Sequence, residues 1–303
     1  MMETELQVYL NGEYVPKSKA TVSVFDHGVL YGDGVFEGIR AYSGSVFQLD
    51  PHVDRLFASA NYIQLKIPLD KDKITRVILG TLRRNKLKDA YIRVVVTRGI
   101  GDLGVNPESC REPTIFVIAE PVSSALGPKE PKVVRVIISS VRRDSVDATT
   151  HEVKSLNYLN SILARLEAAN VGADDAIMLD SRGFVSEGTA TNVFVVIEGV
   201  VYTPRTSSAI LHGITRARII RLCRELGLMV VEREITPFEL VSANEVFMVG
   251  TKSEILAVGS VNGRLVGAGR AGTTTKLLLQ EFTKLVTRKE EGTPIYAEES
   301  LEV

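Results

Sequence analysis

The spacing of apolar positions changes several times along the first third of the chain, and each change marks a predicted secondary-structure element. Short apolar runs bounded by turn residues predict strands, whereas apolar residues three and four positions apart predict helices. Strands are predicted at residues 6–15 (a hairpin turning at Asn11-Gly12), 35–42, 46–49, 91–97 and 114–119. Helices are predicted at residues 51–63 and 72–86. This mixture predicts a smaller N-terminal domain with helices and strands over residues 1–120.

The later part of the chain has the same mixture of patterns, preceded by a proline-containing segment without periodicity at residues 121–132. We interpret that segment as an interdomain linker. Strands are predicted at residues 133–141, 176–179, 193–197, 200–203, 228–235 and 245–249, with a further pair turning at Asn262-Gly263. Helices are predicted at residues 157–170, from Gly213-Ile214-Thr215 to about Leu226, and at 274–287. These elements form a larger C-terminal domain, residues 133–288, and the polar residues 289–303 are predicted to be a flexible tail.

Composition narrows the function classes without selecting one. The 303 residues suggest two domains, and 45% hydrophobic with 24% charged residues is an ordinary balance for a globular protein. Lysine and arginine number 36 against 37 acidic residues, so no net charge would attract nucleic acid or an anionic membrane. The first residues lack a signal-peptide pattern, and no apolar run is long enough to span a membrane. We therefore expect a cytoplasmic protein that binds neither nucleic acid nor membrane.

The cysteines and histidines predict neither a disulfide framework nor a metal site. Two cysteines, Cys110 and Cys223, are too few for a framework. The four histidines are scattered along the chain without the spacing of metal ligands.

The stretch from Ser186 to Arg216 carries the strongest chemical signal. It begins with a glutamate between small residues, continues through a strand pair, and ends at Gly213-Ile214-Thr215, where a helical pattern starts. The first amides of a helix have no partner within the helix and favour an anion. A glycine and a threonine at such a position are also typical of ordinary helix capping, and the residues alone leave both interpretations open.

The same stretch resembles the signature of the class IV aminotransferases, which depend on pyridoxal 5'-phosphate (PLP). The matching residues are Glu187-x-Thr189-x-x-Asn192-Val193-Phe194, Val201-x-Thr203 and Leu211-x-Gly213-Ile214-x-Arg216. The resemblance continues through residues 31–42, 154–158 and 249–254, and so covers most of the chain. It implies an α+β fold of two domains, fold type IV, like that of D-amino acid aminotransferase.

The resemblance assigns PLP contacts to several residues. Lys154, at the head of KSLNYLN, would be the Schiff-base lysine that also carries protons during the reaction. Glu187 would face the pyridine nitrogen and Tyr158 the phenolic oxygen, although a tyrosine at that position is also typical of helix packing. The phosphate would be bound by the remaining members of the set, which are Arg55, Ile214, Thr215 and Thr251.

A second set of residues would bind substrate. By resemblance to branched-chain aminotransferases, it consists of Tyr31, Phe36, Gly38, Tyr91, Arg93, Val105 and Lys252. Tyr31 and Val105 match residues that family members contribute from the neighbouring subunit, which implies a homodimer or a higher oligomer such as a hexamer. The alternative is that the aromatic members only pack a strand face. Val122 and Ala125 stand where several relatives have a tryptophan and a tyrosine, which predicts a wider pocket.

We therefore predict a PLP-dependent enzyme that transfers amino groups between branched-chain L-amino acids and 2-oxoglutarate. D-amino acid aminotransferase and aminodeoxychorismate lyase are alternatives within the same fold, and the Tyr91-Ile92-Arg93 and 35–40 segments argue against both by resemblance. A non-catalytic protein that binds a form of the vitamin is a remote alternative. The presence of both Lys154 and Glu187 argues against it.

Overall fold

The computed structural model describes residues 5–123 and 130–296, and these form two compact units. The first unit contains residues up to 123 together with 153–157 and 285–296. The second contains residues 130–152 and 158–284. The predicted linker falls partly on residues 124–129, and the predicted tail partly on 297–303. Those segments, including Ala125, lie outside the described residues.

The first unit begins with strands and helices close to the predicted ones. Its strands are β1 (Gln7–Leu10), β2 (Glu13–Pro16), β3 (Gly34–Tyr42), β4 (Ser45–Phe47), β5 (Ala90–Thr97) and β6 (Thr114–Pro121). Its helices are α1 (His27–Leu30), α2 (Leu49–Tyr62) and α3 (Lys71–Arg84). The side chain of Asp70 caps α3 by accepting a hydrogen bond from the amide of Lys73. Helix α2 packs on β3 and on α3, so both helices cover one face of the sheet.

The core of the first unit lies between that sheet face and the two helices. It is built from the alternate residues of the strands that face α2 and α3, because successive side chains of a strand point to opposite faces. Its deeply buried members include Val35, Ile39, Leu49, Leu56, Ile74, Ile78, Leu82, Ile92 and Val94.

The second unit contains most of the remaining elements. Its strands are β7 (Val133–Ile138), β8 (Asp175–Leu179), β9 (Val185–Gly188), β10 (Asn192–Ile197), β11 (Val200–Thr203), β12 (Val230–Glu232), β13 (Glu245–Gly250), β14 (Glu254–Val261) and β15 (Arg264–Leu265). Its helices are α4 (Leu159–Asn170), α5 (Ile214–Glu225), α6 (Pro237–Ser242) and α7 (Thr273–Leu285). The sheet is mixed and runs in the order β12-β11-β10-β13-β14-β7-β8-β9, with β15 on β14. Because β9 also pairs with β10, six strands close into a ring around an apolar core.

Residues after α7 return to the first unit. A 3-10 turn at Lys289–Glu291 leads into β16 (Gly292–Pro294), which pairs antiparallel with β4, and the following Ile295 is fully buried. The first sheet is therefore antiparallel, with the order β16-β4-β3-β5-β6-β1-β2. Residues 289–296 belong to the predicted flexible tail, but in the structure they contain a 3-10 turn and a strand paired with β4.

Helix α4 confirms the predicted helix at 157–170, but its large apolar side chains do not enter the core of the chain. Leu159, Ile162, Leu163 and Leu166 are 44–67% exposed. The buried side is made of the small residues Ser161, Ala164 and Ala168, which let the helix lie close against β8. No helix in the described part of the chain is long and apolar enough to cross a membrane.

Candidate active site

One face of strands β3 and β5 brings together four of the predicted substrate residues. The strands pair with Gly38 opposite Arg93, and the guanidinium carbon of Arg93 lies 4.4 Å from the centre of the Phe36 ring. The Arg93 Nη2 atom donates to the hydroxyl of Tyr91 at 3.4 Å. A Cβ atom on residue 38 would clash with that hydroxyl, so only glycine leaves room for Tyr91 here. Phe36, Gly38, Tyr91 and Arg93 therefore form a single surface.

Lys154 reaches the same surface from a segment that extends the first sheet. Residues 153–157 lie beside the beginning of β3, where the amide of Phe36 donates to the carbonyl of Lys154 at 3.0 Å. The amide of Lys154 donates to Oγ of Ser59 in α2 at 3.1 Å. These bonds fix the backbone on both sides of the lysine. Its Nζ atom lies 4.5 Å from the centre of the Phe36 ring.

Arg55, predicted to bind phosphate, lies behind this surface in a buried charged cluster. Its Nε and Nη2 atoms donate to the two carboxylate oxygens of Glu37 at 2.7 and 2.9 Å, and His52 Nδ1 lies 2.7 Å from Glu37 Oε2. Burial alone would raise the pKa of Glu37, but Arg55 and His52 outweigh it and lower the pKa to about 2. Burial also lowers the pKa of His52 against the opposing effect of Glu37. The histidine is therefore neutral at neutral pH and donates from Nδ1, and Glu37 holds the Arg55 guanidinium in one orientation.

In the second unit, Glu187 lies at the end of β9 and accepts hydrogen bonds from several elements. Arg143 Nη2 donates to its Oε1 at 2.9 Å, whereas Asn192 Nδ2 and the amide of Leu211 donate to its Oε2 at 2.9 and 3.0 Å. An ionised carboxylate is the acceptor that suits such a set of donors. The side chain of Glu187 is only 7% exposed.

Arg143 also connects Glu187 to the beginning of α4. Its Nη1 atom donates to Ser161 Oγ at 2.9 Å and to Asn160 Oδ1 at 3.2 Å, both in the first turn of that helix. Tyr158 is the residue immediately before the helix, and its carbonyl accepts from the amide of Ile162. The Arg143 bonds thus tie the helix that begins next to Tyr158 to the carboxylate of Glu187.

The predicted phosphate residues of the second unit lie at two neighbouring element ends. Ile214 and Thr215 are the first two residues of α5, and Gly213 precedes them without a side-chain cap in the described part of the chain. Thr251 and Lys252 follow the last residue of β13, Gly250. A Cβ on Gly250 would lie 3.3 Å from Cγ2 of Thr191, next to the start of β10. This places Thr251 at the same end of the sheet as Glu187 and Asn192.

Tyr31 and Val105 lie at the surface of the first unit. Tyr31 directly follows α1, is 39% exposed and packs edge-on against His27 with 5.0 Å between ring centres. Val105 is 81% exposed. Its loop also contains Asp102, whose carbonyl oxygen lies 2.9 Å from His27 Nε2. An exposed position suits the predicted contribution to a neighbouring subunit.

Reasoning from the sequence assigned no role to Arg143, Glu37, His52 or Asn192, although Asn192 is part of the signature. The sequence could have indicated a role for Glu37, because it occupies a core-facing position between Val35 and Ile39. A buried charge at such a position needs a partner. Arg143 had no comparable signal, since an arginine in a short polar segment is ordinarily solvated. In the described residues no group of three or more histidine, cysteine or acidic side chains could hold a metal ion.

The sequence profile of the class IV amino-transferase family matches residues 34–261, which is most of the chain. The chain belongs to the class IV aminotransferases. This confirms the family resemblance and the predicted fold type IV with its α+β architecture.

Curated relatives and solved structures of class IV aminotransferases are similar over nearly the full length. A "putative branched-chain-amino-acid aminotransferase" of Methanocaldococcus jannaschii is 50% identical over 93% of this chain and 97% of its own. The Pseudomonas aeruginosa branched-chain-amino-acid aminotransferase is 37% identical, covering 96% of both chains. The crystal structure of a T.th. branched-chain amino acid aminotransferase with pyridoxamine 5'-phosphate has a TM-score of 0.92 at 36% identity, covering 97% of this chain and 99% of that one. The Escherichia coli enzyme has a TM-score of 0.92 at 34% identity, covering 97% and 100%.

Proposed function

We propose that the protein is a PLP-dependent aminotransferase that exchanges amino groups between branched-chain L-amino acids and 2-oxoglutarate. The observation that carries the proposal is the surface on which Lys154 and Arg93 approach the same ring, that of Phe36, at 4.5 and 4.4 Å. A reactive amine beside an aromatic wall suits an apolar substrate, and a nearby guanidinium suits the second carboxylate of 2-oxoglutarate. The names of the relatives support branched-chain amino acids as substrates.

The residues present fit PLP as the cofactor. Glu187 offers a carboxylate held by Arg143, Asn192 and the Leu211 amide, which suits an acceptor for a protonated ring nitrogen. Helix α5 begins at a glycine without a side-chain cap, which suits a phosphate at its first amides. When bound, PLP supplies a conjugated ring that takes up the electrons left after the substrate Cα proton is removed.

Each residue then has a specific task. When the cofactor is bound, Lys154 would hold it through Nζ and would carry the proton to and from the substrate Cα. Glu187 keeps a proton on the ring nitrogen, and Tyr158 donates to the phenolic oxygen. Arg55, Thr251 and the amides of Ile214 and Thr215 bind the phosphate.

The substrate is bound by the surface around Phe36. Gly38 leaves space for Tyr91, and Arg93 binds the side-chain carboxylate of 2-oxoglutarate. Lys252, on the loop after β13, would contact the substrate. Tyr31 and Val105 act in the site of a second subunit, so the protein works as a homodimer or a higher oligomer such as a hexamer. We place this activity in the cytoplasm.

The proposal is tested by assaying the purified protein for amino transfer from L-leucine to 2-oxoglutarate. D-alanine as donor and pyruvate release from aminodeoxychorismate are measured in parallel, and a preference for either would reject the branched-chain assignment. Borohydride reduction followed by peptide mapping should place the pyridoxyl group on Lys154. The Lys154→Ala variant should lose the label and the activity, whereas Lys71→Ala, which removes an exposed lysine paired with Asp54, should keep both.

A further inference from the structure

Asn192 occupies the first position of β10 and lies directly opposite Glu187 of β9. Its side chain is 6% exposed, and its strand is bonded to β9, β11 and β13. A side chain on a strand bonded on both sides has little freedom to move. Asn192 is therefore a rigid point from which other groups can be positioned.

The amide group of Asn192 connects two elements that are far apart in the sequence. Its Nδ2 atom donates to Glu187 Oε2 at 2.9 Å and to the carbonyl of Leu211 at 3.1 Å. The amide of Leu211 donates back to Glu187 Oε2 at 3.0 Å. Asn192, Glu187 and Leu211 thus form a closed triangle of hydrogen bonds.

The triangle continues into the beginning of α5. The amide of Gly213 donates to the carbonyl of Leu211 at 2.8 Å, so the turn at 211–213 is fixed to the same acceptor that Asn192 binds. A Cβ on residue 213 would clash with Asn192 Oδ1, which means that the helix start is packed directly on the asparagine. Any shift of Asn192 would move the first amides of α5 relative to Glu187.

We propose that Asn192 is a positioning residue that sets the spacing between the carboxylate of Glu187 and the first turn of α5. The inference rests on the proposed function, in which Glu187 contacts the ring nitrogen of PLP and Ile214 and Thr215 contact its phosphate. A ligand that engages both ends depends on the spacing between them. A ligand that engages only one end does not, because that end can adjust independently.

The test compares the affinity of the cofactor-free protein for PLP with its affinity for pyridoxal, which lacks the phosphate. The dissociation constant for pyridoxal divided by that for PLP measures how much affinity the phosphate adds when the ring is also bound. Asn192→Ala should lower that ratio by about tenfold, the size expected when a hydrogen bond to a charged group is lost.

Asn244→Ala is the matched control for Asn192→Ala, because Asn244 also binds the backbone of a turn through its side chain. Its Oδ1 atom accepts from the amide of Glu198 at 2.9 Å, at the other end of β10, and its removal should leave the ratio unchanged. An unchanged ratio in Asn192→Ala, with both affinities measurable, would overturn the inference while leaving the proposed function intact. Failure of the wild-type protein to bind PLP would instead reject the proposed function. Thermal unfolding of the cofactor-free variants confirms that each is folded before the comparison.

Discussion

Arg143 donates to Glu187 at 2.9 Å, and only 2% and 7% of the two side chains are exposed. Removing one member of such a pair leaves a buried charge without its counterpart, whereas the intact pair contributes little net stability. The pair also joins β9 to the first turn of α4 through Ser161 and Asn160. The position of the Glu187 carboxylate is therefore set by its neighbours before any ligand binds.

Glu187→Gln is expected to bind PLP but to lose most turnover. Without the carboxylate the ring nitrogen is less often protonated, and losing one such electrostatic contribution lowers the rate by about a hundredfold or more. A glutamine has a single acceptor oxygen, so it cannot serve both Arg143 and the Asn192–Leu211 donors, and the melting temperature should also fall. Single-turnover kinetics with L-leucine at full cofactor occupancy provide the measurement. Near-normal turnover would remove Glu187 from the mechanism.

Arg93→Ala should impair the half-reaction with 2-oxoglutarate far more than that with L-leucine. Only 2-oxoglutarate brings a second carboxylate to the pocket, and losing a charge-assisted hydrogen bond of about 1.5–3 kcal/mol corresponds to roughly ten- to a hundredfold. Single-turnover absorbance measurements follow each half-reaction separately.

Arg93→Lys is the control for Arg93→Ala, because it keeps the charge and should recover part of the loss. Equal losses in both half-reactions would mean that Arg93 is structural. Arg98 could not replace it, since it is bound bidentately to Asp33 and to the carbonyls of Ile63 and Gln64. Arg40, which lies 5.0 Å from the ring centre of Tyr42, would then be tested.

Gly38→Ala should displace Tyr91 and narrow the substrate surface. The added Cβ would overlap the Tyr91 hydroxyl, and overpacking of this kind costs about 1–3 kcal/mol of stability. We expect kcat/KM for L-leucine to fall by about tenfold or more, since one carbon can have that effect in an apolar pocket. Adding Tyr91→Phe removes the clashing oxygen and should restore stability relative to Gly38→Ala alone. No recovery would show that Tyr91 is not what requires glycine at this position.

Glu37 should contribute to stability in a defined pH range. Its folded pKa of about 2 lies below its ordinary value of 4.5, so its stabilising effect is present above about pH 4.5 and is lost as the pH falls toward 2. The shift corresponds to about 3 kcal/mol as an order of magnitude. The slope of unfolding free energy against pH should therefore be shallower in Glu37→Gln between pH 2 and 4.5. Asp54→Asn, which removes an exposed carboxylate on α2, should keep the wild-type slope.

The sequence predicted the secondary-structure elements better than it predicted which strands pair and which side chains contact each other. Periodicity is a local property, so the longer helices and most strands were found within a few residues, whereas the short helices α1 and α6 were not predicted. The fixed spacing of the signature predicted Glu187, Ile214 and Thr215 as site residues. Strand pairing between distant segments leaves no such trace, which is why residues 153–157 and β16 were not assigned to the first unit. Helix α4 was predicted, but an apolar pattern does not show what covers the large apolar side chains of a helix. Arg143 was missed because its burial depends on Glu187, 44 residues later.

Because the segment with Lys154 belongs to the first unit, the first sheet cannot be completed when the N-terminal residues have just been synthesised. During synthesis, residues 5–123 are made before residues 153–157, and β16 is made only after the second unit. Until then, the edge of β4 lacks its last strand and the beginning of β3 lacks its neighbour at Ser155. A nascent chain therefore has an open edge on the first sheet until the residues that complete the sheet, among them the segment with Lys154, have been made.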